Sequence, residues 1–387
     1  MLGLIVEFNP FHNGHMAHLN ISREITGRKR VIAVMSGNFV QRGEPAICDK
    51  WRRVKMALLV GVDIIIELPL PYVIGGADYF ARGSVGLLAA TGVVDAISFG
   101  SECGDIAAIM AAGKVLAAEE PIYKEALRLG LAKGMSFAAA RGAALEKCLA
   151  GTFEGLPEGL LTKPNNGLAM EYCKAVHLLG NKMEIFTTHR FSGGPSATKI
   201  RKAFREGELV NELLPDSAYE ILKDAPTATL DDFSVLFKYK IYSAECNLAE
   251  GLENRFRRLC GEHVSIASLL ESVKTKRYTY TRLQRTVLNV ILGINQADMD
   301  FYENHGGPQY IRVLGFRKES AGLLSEMTKK AALPVITSGA AMDKILQQNT
   351  AAGKMLAKEL EAGDIYRLAT GEGGGFRGES GKGVVIV

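Results

Sequence analysis

The sequence predicts an α/β protein: a parallel sheet flanked by helices over about the first 200 residues, then a mainly helical region. Short apolar runs of strand length alternate with stretches of helical periodicity in this first part. Continuous apolar strands separated by helices are typical of a parallel sheet that is buried on both faces. Beyond about residue 215 the apolar positions follow helical spacing, and basic residues become frequent. We therefore expect three parts, at residues 1–206, 207–370 and 371–387.

The elements of the first part can be assigned in order along the chain. Each predicted strand is a short apolar run, and most end at a Gly, Pro or polar residue. The strands lie at 2–6, 31–36, 62–69, 93–100 and 182–188, and the last of them is expected to end the sheet. Helices are expected from about Gly14 to Thr26, from Asp49, over about 78–90, within the Ala-rich stretch 103–180, and from Pro195 and Ser196. Asp and Ser are preferred N-cap residues, and Pro is favoured in the first turn.

The sequence after about residue 215 predicts helices, one small β-α-β unit and a C-terminal tail. Apolar runs at 310–316 and 333–338 flank a helical stretch, which indicates a small β-α-β unit. The tail from residue 371 is Gly-rich and is expected to be mobile. Its GEGGGFRGESGKG run resembles a phosphate-binding loop only superficially, because it follows no predicted strand and opens no helix.

Composition excludes several classes of protein. The chain has 387 residues, 47% of them hydrophobic and 23% charged, with a net charge of +4, which is ordinary for a globular enzyme. No apolar run reaches the roughly 18 residues that cross a bilayer, and the N-terminus lacks the basic leader of a signal peptide. The cysteines are scattered without a C-x-x-C pair, as in reduced cytoplasmic proteins. They are Cys48, Cys103, Cys148, Cys173, Cys246 and Cys260.

The opening segment EFNPFHNGHMAH carries the most specific signal. It follows the first strand, turns at Asn9 and Pro10, and contains three of the chain's seven His. The N-terminus of the following helix offers free N–H groups that suit a phosphate, and Gly14 lets a ligand approach the backbone. His12 and His15 then point imidazoles at the same place. The alternatives are a Zn²⁺ site of three His and, for His18 alone, a structural role in packing.

His-Asn-Gly-His after the first strand resembles the HIGH-type motif of nucleotidyltransferases. Ser196-Ala197-Thr198-Lys199-Ile200-Arg201, opening a helix after the last strand, resembles the second motif of that superfamily. EFNPFHNGH, SGNFVQRGEPA, GVDIIIELP, SFGSE and KPNNGLAMEY together look like the tRNA(Met) cytidine acetate ligase family, over at least residues 1–206. YIRVLGF near residue 310 fits the same family.

This resemblance implies a Rossmann-like nucleotidyltransferase domain that activates acetate with ATP. The acetyl group would then go to N4 of the wobble cytidine of elongator tRNA(Met). The implied catalytic residues are His12, His15, Thr198, Lys199 and Arg201. The implied ATP-binding residues are Glu7, Phe8, Asn9, Pro10, Phe11, His12, Asn13, Gly14, His15, Gly100, Asn165, Arg190 and Ser196. We expect Mg²⁺ on the triphosphate, and no metal site built by the protein itself.

Two other stretches have open interpretations. KTKRYTYTRLQR, at 274–285, interleaves cations with aromatic rings, as RNA-binding surfaces do, although a solvated basic helix fits equally well. Its candidate tRNA contacts are Lys274, Lys276, Arg277, Tyr278, Tyr280 and Arg282. SGNFVQRGEPA, at 36–46, either covers the acetate or the nucleotide or is only a surface loop.

Two rival functions fit parts of the sequence. A small-molecule adenylyltransferase would use the same two motifs, but it has no need of a basic helical region of more than 100 residues. A nucleotide-sensing RNA-binding protein without catalysis would not need the intact His pair. The sequence alone distinguishes neither acetate from another small carboxylate nor one oligomeric state from another.

Overall fold

The α/β architecture predicted from the sequence is confirmed. The structure is a computed structural model that describes residues 1–387 except 154, 181, 191–195, 244–247, 249–250, 276–277 and 373–377. The strands within the described residues are β1 (Leu2–Val6), β2 (Val31–Ser36), β3 (Phe39–Val40), β4 (Glu44–Pro45), β5 (Ile64–Leu68), β6 (Ala96–Ser101), β7 (Glu184–His189), β8 (Ile311–Phe316), β9 (Val335–Ile336) and β10 (Val385–Ile386).

Helices surround the sheet and form the region that follows it. Those of the first part are α1 (Asn13–Thr26), α2 (Lys50–Leu59), α3 (Leu70–Ile74), α4 (Ala77–Ala90), α5 (Ile106–Ala118), α6 (Pro121–Ala132), α7 (Phe137–Leu149), α8 (Pro164–Leu178) and α9 (Ala197–Arg205). Those of the remainder are α10 (Asp216–Leu222), α11 (Ser234–Ser243), α12 (Leu252–Cys260), α13 (Ile266–Val273), α14 (Tyr280–Leu292), α15 (Gln296–Asn304), α16 (Ala321–Lys330), α17 (Gly339–Leu346) and α18 (Ala351–Ala369). Short 3₁₀ helices lie at Asn211–Leu213, Leu230–Phe233, Lys318–Ser320 and Glu379–Gly381.

The main sheet has the strand order β10-β8-β5-β2-β1-β6-β7, with β9 beside β8. β5, β2, β1, β6 and β7 are parallel to one another. Their carboxyl ends therefore meet at one edge, which is where ligands bind in open sheets of this kind. Strand β2 is buried along its whole length, as its continuous apolar run predicts.

Local helix-start signals in the sequence act as predicted. The Asp49 carboxylate accepts a hydrogen bond from the Arg52 N–H at 3.0 Å and so caps α2. The Ser196 hydroxyl accepts from the Lys199 N–H at 3.4 Å and caps α9. These caps satisfy backbone donors that have no partner within the helix.

The C-terminal part does not stay separate from the sheet. β8 pairs antiparallel with β5, so the expectation that the strand at 182–188 is the last one along the chain to join the sheet is wrong, although this strand, β7, does lie at one edge. The β-α-β unit expected over 310–338 is confirmed, since β8 and β9 are parallel and α16 connects them. The expectation of a mobile Gly-rich run is wrong for residues 378–383, because Glu379 is 1% exposed and the strand β10 that follows this run pairs with β8.

A buried cluster of charged side chains fastens these late segments to the sheet. Lys50 contacts Glu67, Glu359 and Glu379, and Arg312 contacts Glu67 and Glu379. Two cations face three carboxylates, so one carboxylate is in excess. Burial and the neighbouring Glu67 raise the pKa of Glu359 to about 8, which keeps this extra carboxyl protonated at neutral pH.

Candidate active site

The turn between β1 and α1 is held by a reciprocal pair of hydrogen bonds. His12 is the N-cap of α1, and its Nδ1 accepts from the Gly14 N–H at 3.0 Å. The Nδ1 of His15 accepts in return from the His12 N–H at 3.3 Å. This is a capping box built from two imidazoles instead of the usual hydroxyl and carboxylate.

These bonds fix which nitrogen of each ring carries the proton. A neutral imidazole has one donor and one acceptor nitrogen, and Nδ1 is the acceptor in both rings. The proton must therefore lie on Nε2, so each ring can donate one hydrogen bond away from the helix. The two rings stack with centroids 3.7 Å apart and planes inclined by 26°.

Both imidazoles are neutral at physiological pH. Burial, with a smaller contribution from the charge of Arg190, lowers the pKa of His12 to about 4. Burial, with the neighbouring His12, His18 and Arg190, lowers the pKa of His15 well below its usual value. The pair thus offers hydrogen-bond donors without carrying charge of its own. The charge of Arg190 contributes to the lowered pKa of both rings, so this predicted site residue lies near the His pair.

The residues around the pair hold its rings in place. Phe8 and Phe11 are buried, and their rings lie 5.2 and 5.6 Å from that of His15. A Cβ on Gly14 would stand 2.9 Å from the His12 ring, so any other residue at position 14 would displace the ring from its capping position. The peptide bond between Asn9 and Pro10 is cis. Asn13, which is exposed, donates to the Glu212 carbonyl at 2.9 Å.

Buried Arg53 positions the backbone at the edge of the sheet where the carboxyl ends of the parallel strands meet. Arg53 is fully buried and donates to the carbonyl oxygens of Glu7, Ser36, Gly37 and Cys48. It therefore connects the ends of β1 and β2. Nothing in the local sequence around Arg53 signals this role, because its partners lie up to 46 residues away.

Arg201 has a different place from the one expected for a phosphate ligand. It is 7% exposed, and it donates to the Asn9 carbonyl at 2.9 Å and to the Glu44 carboxylate at 3.2 Å. Glu44 also accepts from the Gln284 amide at 2.9 Å. The guanidinium thus joins α9 to the β1–α1 turn from within the protein, so it acts as a positioning group.

The 36–46 loop packs against the same turn. The Gln41 N–H donates to the Glu7 carboxylate at 2.6 Å, and burial raises the pKa of Glu7. At Gly43, where φ is +84°, a Cβ would stand 2.4 Å from the backbone nitrogen of Arg285. The loop is therefore fixed between the candidate site and α14, rather than being a free surface loop.

The carboxyl ends of β6 and β7 form the other half of the site. A cleft of about 360 Å³ opens there, lined by Glu102, Cys103, Pro157, Glu158, Lys163 and His189. Gly100 lies near the end of β6 with no atom closer than 3.9 Å to the place of a Cβ, so the backbone is open to a ligand. The Asn165 amide donates to the Glu102 carboxylate at 2.6 Å. That carboxylate also accepts from the Asn166 N–H at 2.9 Å and so caps α8.

The second motif forms the first turn of α9. Thr198 and Lys199 are exposed there, and Ser196 caps the helix. Residues 191–195, which precede the cap and include Pro195, lie outside the described residues.

His18 and Cys48 are buried groups whose environments favour structural roles. The Nδ1 of His18 lies 2.8 Å from the Thr188 hydroxyl, and burial lowers the pKa of His18 to about 4. His18 therefore packs α1 against β7, which supports its structural interpretation. Within the described residues no three His, Cys, Asp or Glu side chains are grouped to hold a metal ion. Burial raises the pKa of Cys48 to about 12, so its thiol is a poor nucleophile.

The candidate tRNA contacts divide into different environments. Tyr278 is 6% exposed, so the expectation that its ring stacks on RNA is wrong for this conformation, which leaves no ring face open to a base. Arg282 is exposed and lies 5.0 Å from the centre of the Tyr278 ring. Lys274 is exposed and lies 5.9 Å from the ring centre of Tyr280, which is partly exposed. Lys276 and Arg277 lie outside the described residues.

Comparison with known proteins gives consistent matches along the chain. The sequence pattern of a family described as HIGH nucleotidyl transferase matches residues 1–374. A tRNA(Met) cytidine acetate ligase from Thermoanaerobacter sp. is 40% identical, with 95% of both chains covered. Another, from Acetivibrio thermocellus, is 35% identical over 95% of this chain and 94% of the other. The crystal structure of Thermotoga maritima TmcAL bound with alpha-thio ATP matches at a TM-score of 0.91 and 34% identity, covering 100% of this chain and 99% of that one.

No helix among the described residues has both the length and the apolar character needed to cross a membrane.

Proposed function

The chain belongs to the tRNA(Met) cytidine acetate ligase family of HIGH nucleotidyltransferases, and from that premise we propose the following reaction. The protein uses ATP to activate acetate as acetyl-AMP. It then transfers the acetyl group to N4 of the wobble cytidine of elongator tRNA(Met), in the cytoplasm where tRNA is modified. The TmcAL structure with an ATP analogue supports ATP as the nucleotide.

The observation that carries this proposal is the stacked pair of neutral imidazoles at the N-terminus of α1. Both rings accept a backbone N–H at Nδ1 and leave an Nε2–H donor free. Fixed donors beside a helix N-terminus suit phosphoryl oxygens, on which charge increases during the reaction. Because both rings stay neutral, they can bind the triphosphate over a wide pH range.

The first step is attack of an acetate oxygen on the α-phosphorus. A new phosphorus–oxygen bond forms, the bond to the bridging oxygen breaks, and pyrophosphate leaves with the electron pair. This chemistry needs alignment and charge stabilisation, not a protein nucleophile. We assign the donors of His12 and His15 to the α-phosphate and bridging oxygens, with Arg190 adding positive charge beside them.

The remaining residues of the second motif fall into two roles. Thr198 and Lys199, exposed on the first turn of α9, are proposed to hold the β- and γ-phosphates. Arg201 positions the turn by holding the Asn9 carbonyl. Gly100 and Asn165, beside the cleft at β6 and α8, are proposed to contact the nucleoside.

Mg²⁺ is proposed to bind through the triphosphate. Mg²⁺ keeps several waters and is usually held by substrate phosphates with one or two carboxylates. When bound, it would offset negative charge on the phosphates.

In the second step the exocyclic amine of cytidine attacks the acetyl carbonyl of the mixed anhydride, and AMP leaves. The wobble base lies in a single-stranded loop, where proteins read bases by splaying and stacking them. The helical region after residue 207 is the proposed tRNA-binding part, with Lys274, Tyr280 and Arg282 as candidate contacts.

Isotope transfer tests this order of events. Acetate labelled with ¹⁸O in both oxygens should transfer one label to the AMP released after acetylation. Mass spectrometry of tRNA nucleosides, after incubation with ATP and a panel of carboxylates, identifies the acyl group. Unlabelled AMP, or a labelled acetyl group covalently attached to the protein, would contradict attack of acetate on the α-phosphorus. Product formed from a small phosphorylated precursor without tRNA would favour the adenylyltransferase alternative.

A further inference from the structure

Helix α11 presents to solvent an exposed stripe of one valine and two tyrosines that no described residue covers. Val235, Tyr239 and Tyr242 are 78%, 66% and 53% exposed. They are spaced by four and three residues, so they lie on one face of the helix. Phe237 and Ile241 on the opposite face are fully buried. The helix is therefore well anchored, and its exposed rings are not a result of loose packing.

The packing of α11 connects this stripe to the candidate active site. The ring of Phe237 lies 5.3 Å from that of Phe256, which fixes α11 against α12. The 3₁₀ helix just before α11 ends at Phe233, whose ring lies 5.7 Å from that of Phe39. Phe39 belongs to the 36–46 loop, which packs on the β1–α1 turn. The start of α11 therefore packs, through two buried rings, next to the loop that borders the site.

The chemistry around the stripe favours an anionic partner with flat aromatic groups. Residues 234–285 contain ten Lys or Arg and only five Asp or Glu. Lys238 and Lys240 lie on α11 itself, and Arg258 is exposed on the adjacent α12. A Cβ on Gly261 would stand 3.5 Å from the Tyr242 hydroxyl, so the end of α12 lies beside this ring. Cations that alternate with exposed tyrosines suit phosphates and unstacked bases.

We propose that the exposed stripe of Val235, Tyr239 and Tyr242 contacts unpaired bases of the tRNA substrate, which stack on the two tyrosine rings. This proposal rests on the proposed function, because it takes tRNA as the partner. It extends the proposed RNA surface from the 274–285 stretch, where Tyr278 is buried and Tyr280 is partly exposed, to α11. In the complex with tRNA, the bases cover the exposed stripe on α11, while the flanking cations contact the phosphate backbone.

The test compares the double variant Tyr239→Ala/Tyr242→Ala with Tyr239→Phe/Tyr242→Phe in the full-length protein. Equilibrium binding of unmodified tRNA(Met) is measured at fixed salt concentration. Loss of stacking should weaken binding about tenfold to a hundredfold in the Ala variant, while the Phe variant stays within about threefold of wild type. Phe137→Ala, which removes a 61% exposed ring from α7, is the matched control and should bind like wild type.

Acetate-dependent pyrophosphate release without tRNA separates this proposal from the proposed function. All variants should release pyrophosphate at the wild-type rate, because the stripe touches none of the ATP-site residues. If the Ala variant releases pyrophosphate normally and binds tRNA with unchanged affinity, the stacking surface is refuted and the proposed function stands. If instead wild-type protein sediments as a dimer that the Ala variant disrupts, with tRNA affinity unchanged, the stripe is a contact between copies. If the wild-type protein forms no acetyl-AMP, the proposed function itself fails.

Discussion

Replacing His12 separates its two roles, because one ring nitrogen caps α1 and the other faces the ligand side. His12→Ala removes both the cap on the Gly14 N–H and the Nε2–H donor. His12→Ser keeps an N-cap oxygen, but its side chain is too short to reach where Nε2 lies. Losing an N-cap costs about 1 kcal/mol of stability. Losing one donor to developing charge lowers the rate by roughly tenfold to a thousandfold.

The two variants should therefore differ in stability and agree in activity. In urea denaturation followed by circular dichroism, His12→Ala should lose about 1 kcal/mol and His12→Ser roughly half of that or less. Both should lose acetate-dependent pyrophosphate release by at least about tenfold. Asn20→Ala, an exposed change on the same helix, controls for nonspecific effects on α1.

Either of two results would refute the reasoning. If His12→Ser releases pyrophosphate at a near wild-type rate, the imidazole has only a structural role and the donor assignment is wrong. If both variants are as stable as wild type, the ring does not cap the helix, and the tautomer inferred from that bond loses its basis.

Three further predictions concern charge and position. An ¹⁵N-edited NMR titration should give His12 a pKa near 4 with the proton on Nε2, and a midpoint near 6.5 would contradict the burial argument. Because the pKa of 6.5 in the unfolded chain is higher, the unfolded chain binds more protons, and the free energy of unfolding should fall as pH drops from about 6.5 to 4. Glu359, whose pKa of about 8 in the folded protein exceeds 4.5, keeps a proton that the unfolded chain releases, so wild-type stability should fall as pH rises from about 4.5 to 8. Glu359→Gln lacks this titration, so its stability in urea relative to wild type should increase between about pH 5 and pH 8, and equal pH slopes for both proteins would disprove this. Glu44→Ala leaves buried Arg201 without its carboxylate, so it should lower the free energy of unfolding by about 1–3 kcal/mol and slow pyrophosphate release. Glu44→Gln keeps a hydrogen-bond acceptor and should have smaller effects on both. Identical behaviour of the two variants would rule out positioning through this bond.

Local features of the site were predictable because local chemistry creates them. A turn with Pro and Gly after an apolar strand predicts a helix start, and the imidazoles at that start can only project near its free N–H groups. Ser196 and Asp49 cap their helices for the same reason, since N-capping depends on residues two or three positions apart. The parallel strands follow from continuous apolar runs, which need cover on both faces.

The sequence by itself determined the parallel strands, the edge at which their carboxyl ends meet and the position of the His pair at a helix start, because each depends on neighbours within a few residues. Only the tertiary structure decided that β8 joins β5 across 245 positions, since pairing depends on which edge remains uncovered once the chain is compact. It also turned Arg201 inward to the Asn9 carbonyl and buried Tyr278. An arginine or a tyrosine can lie either at the surface or in the interior. Which of these it does depends on the carbonyl oxygens and apolar side chains that surround it in the fold, and these come from positions far away in the sequence.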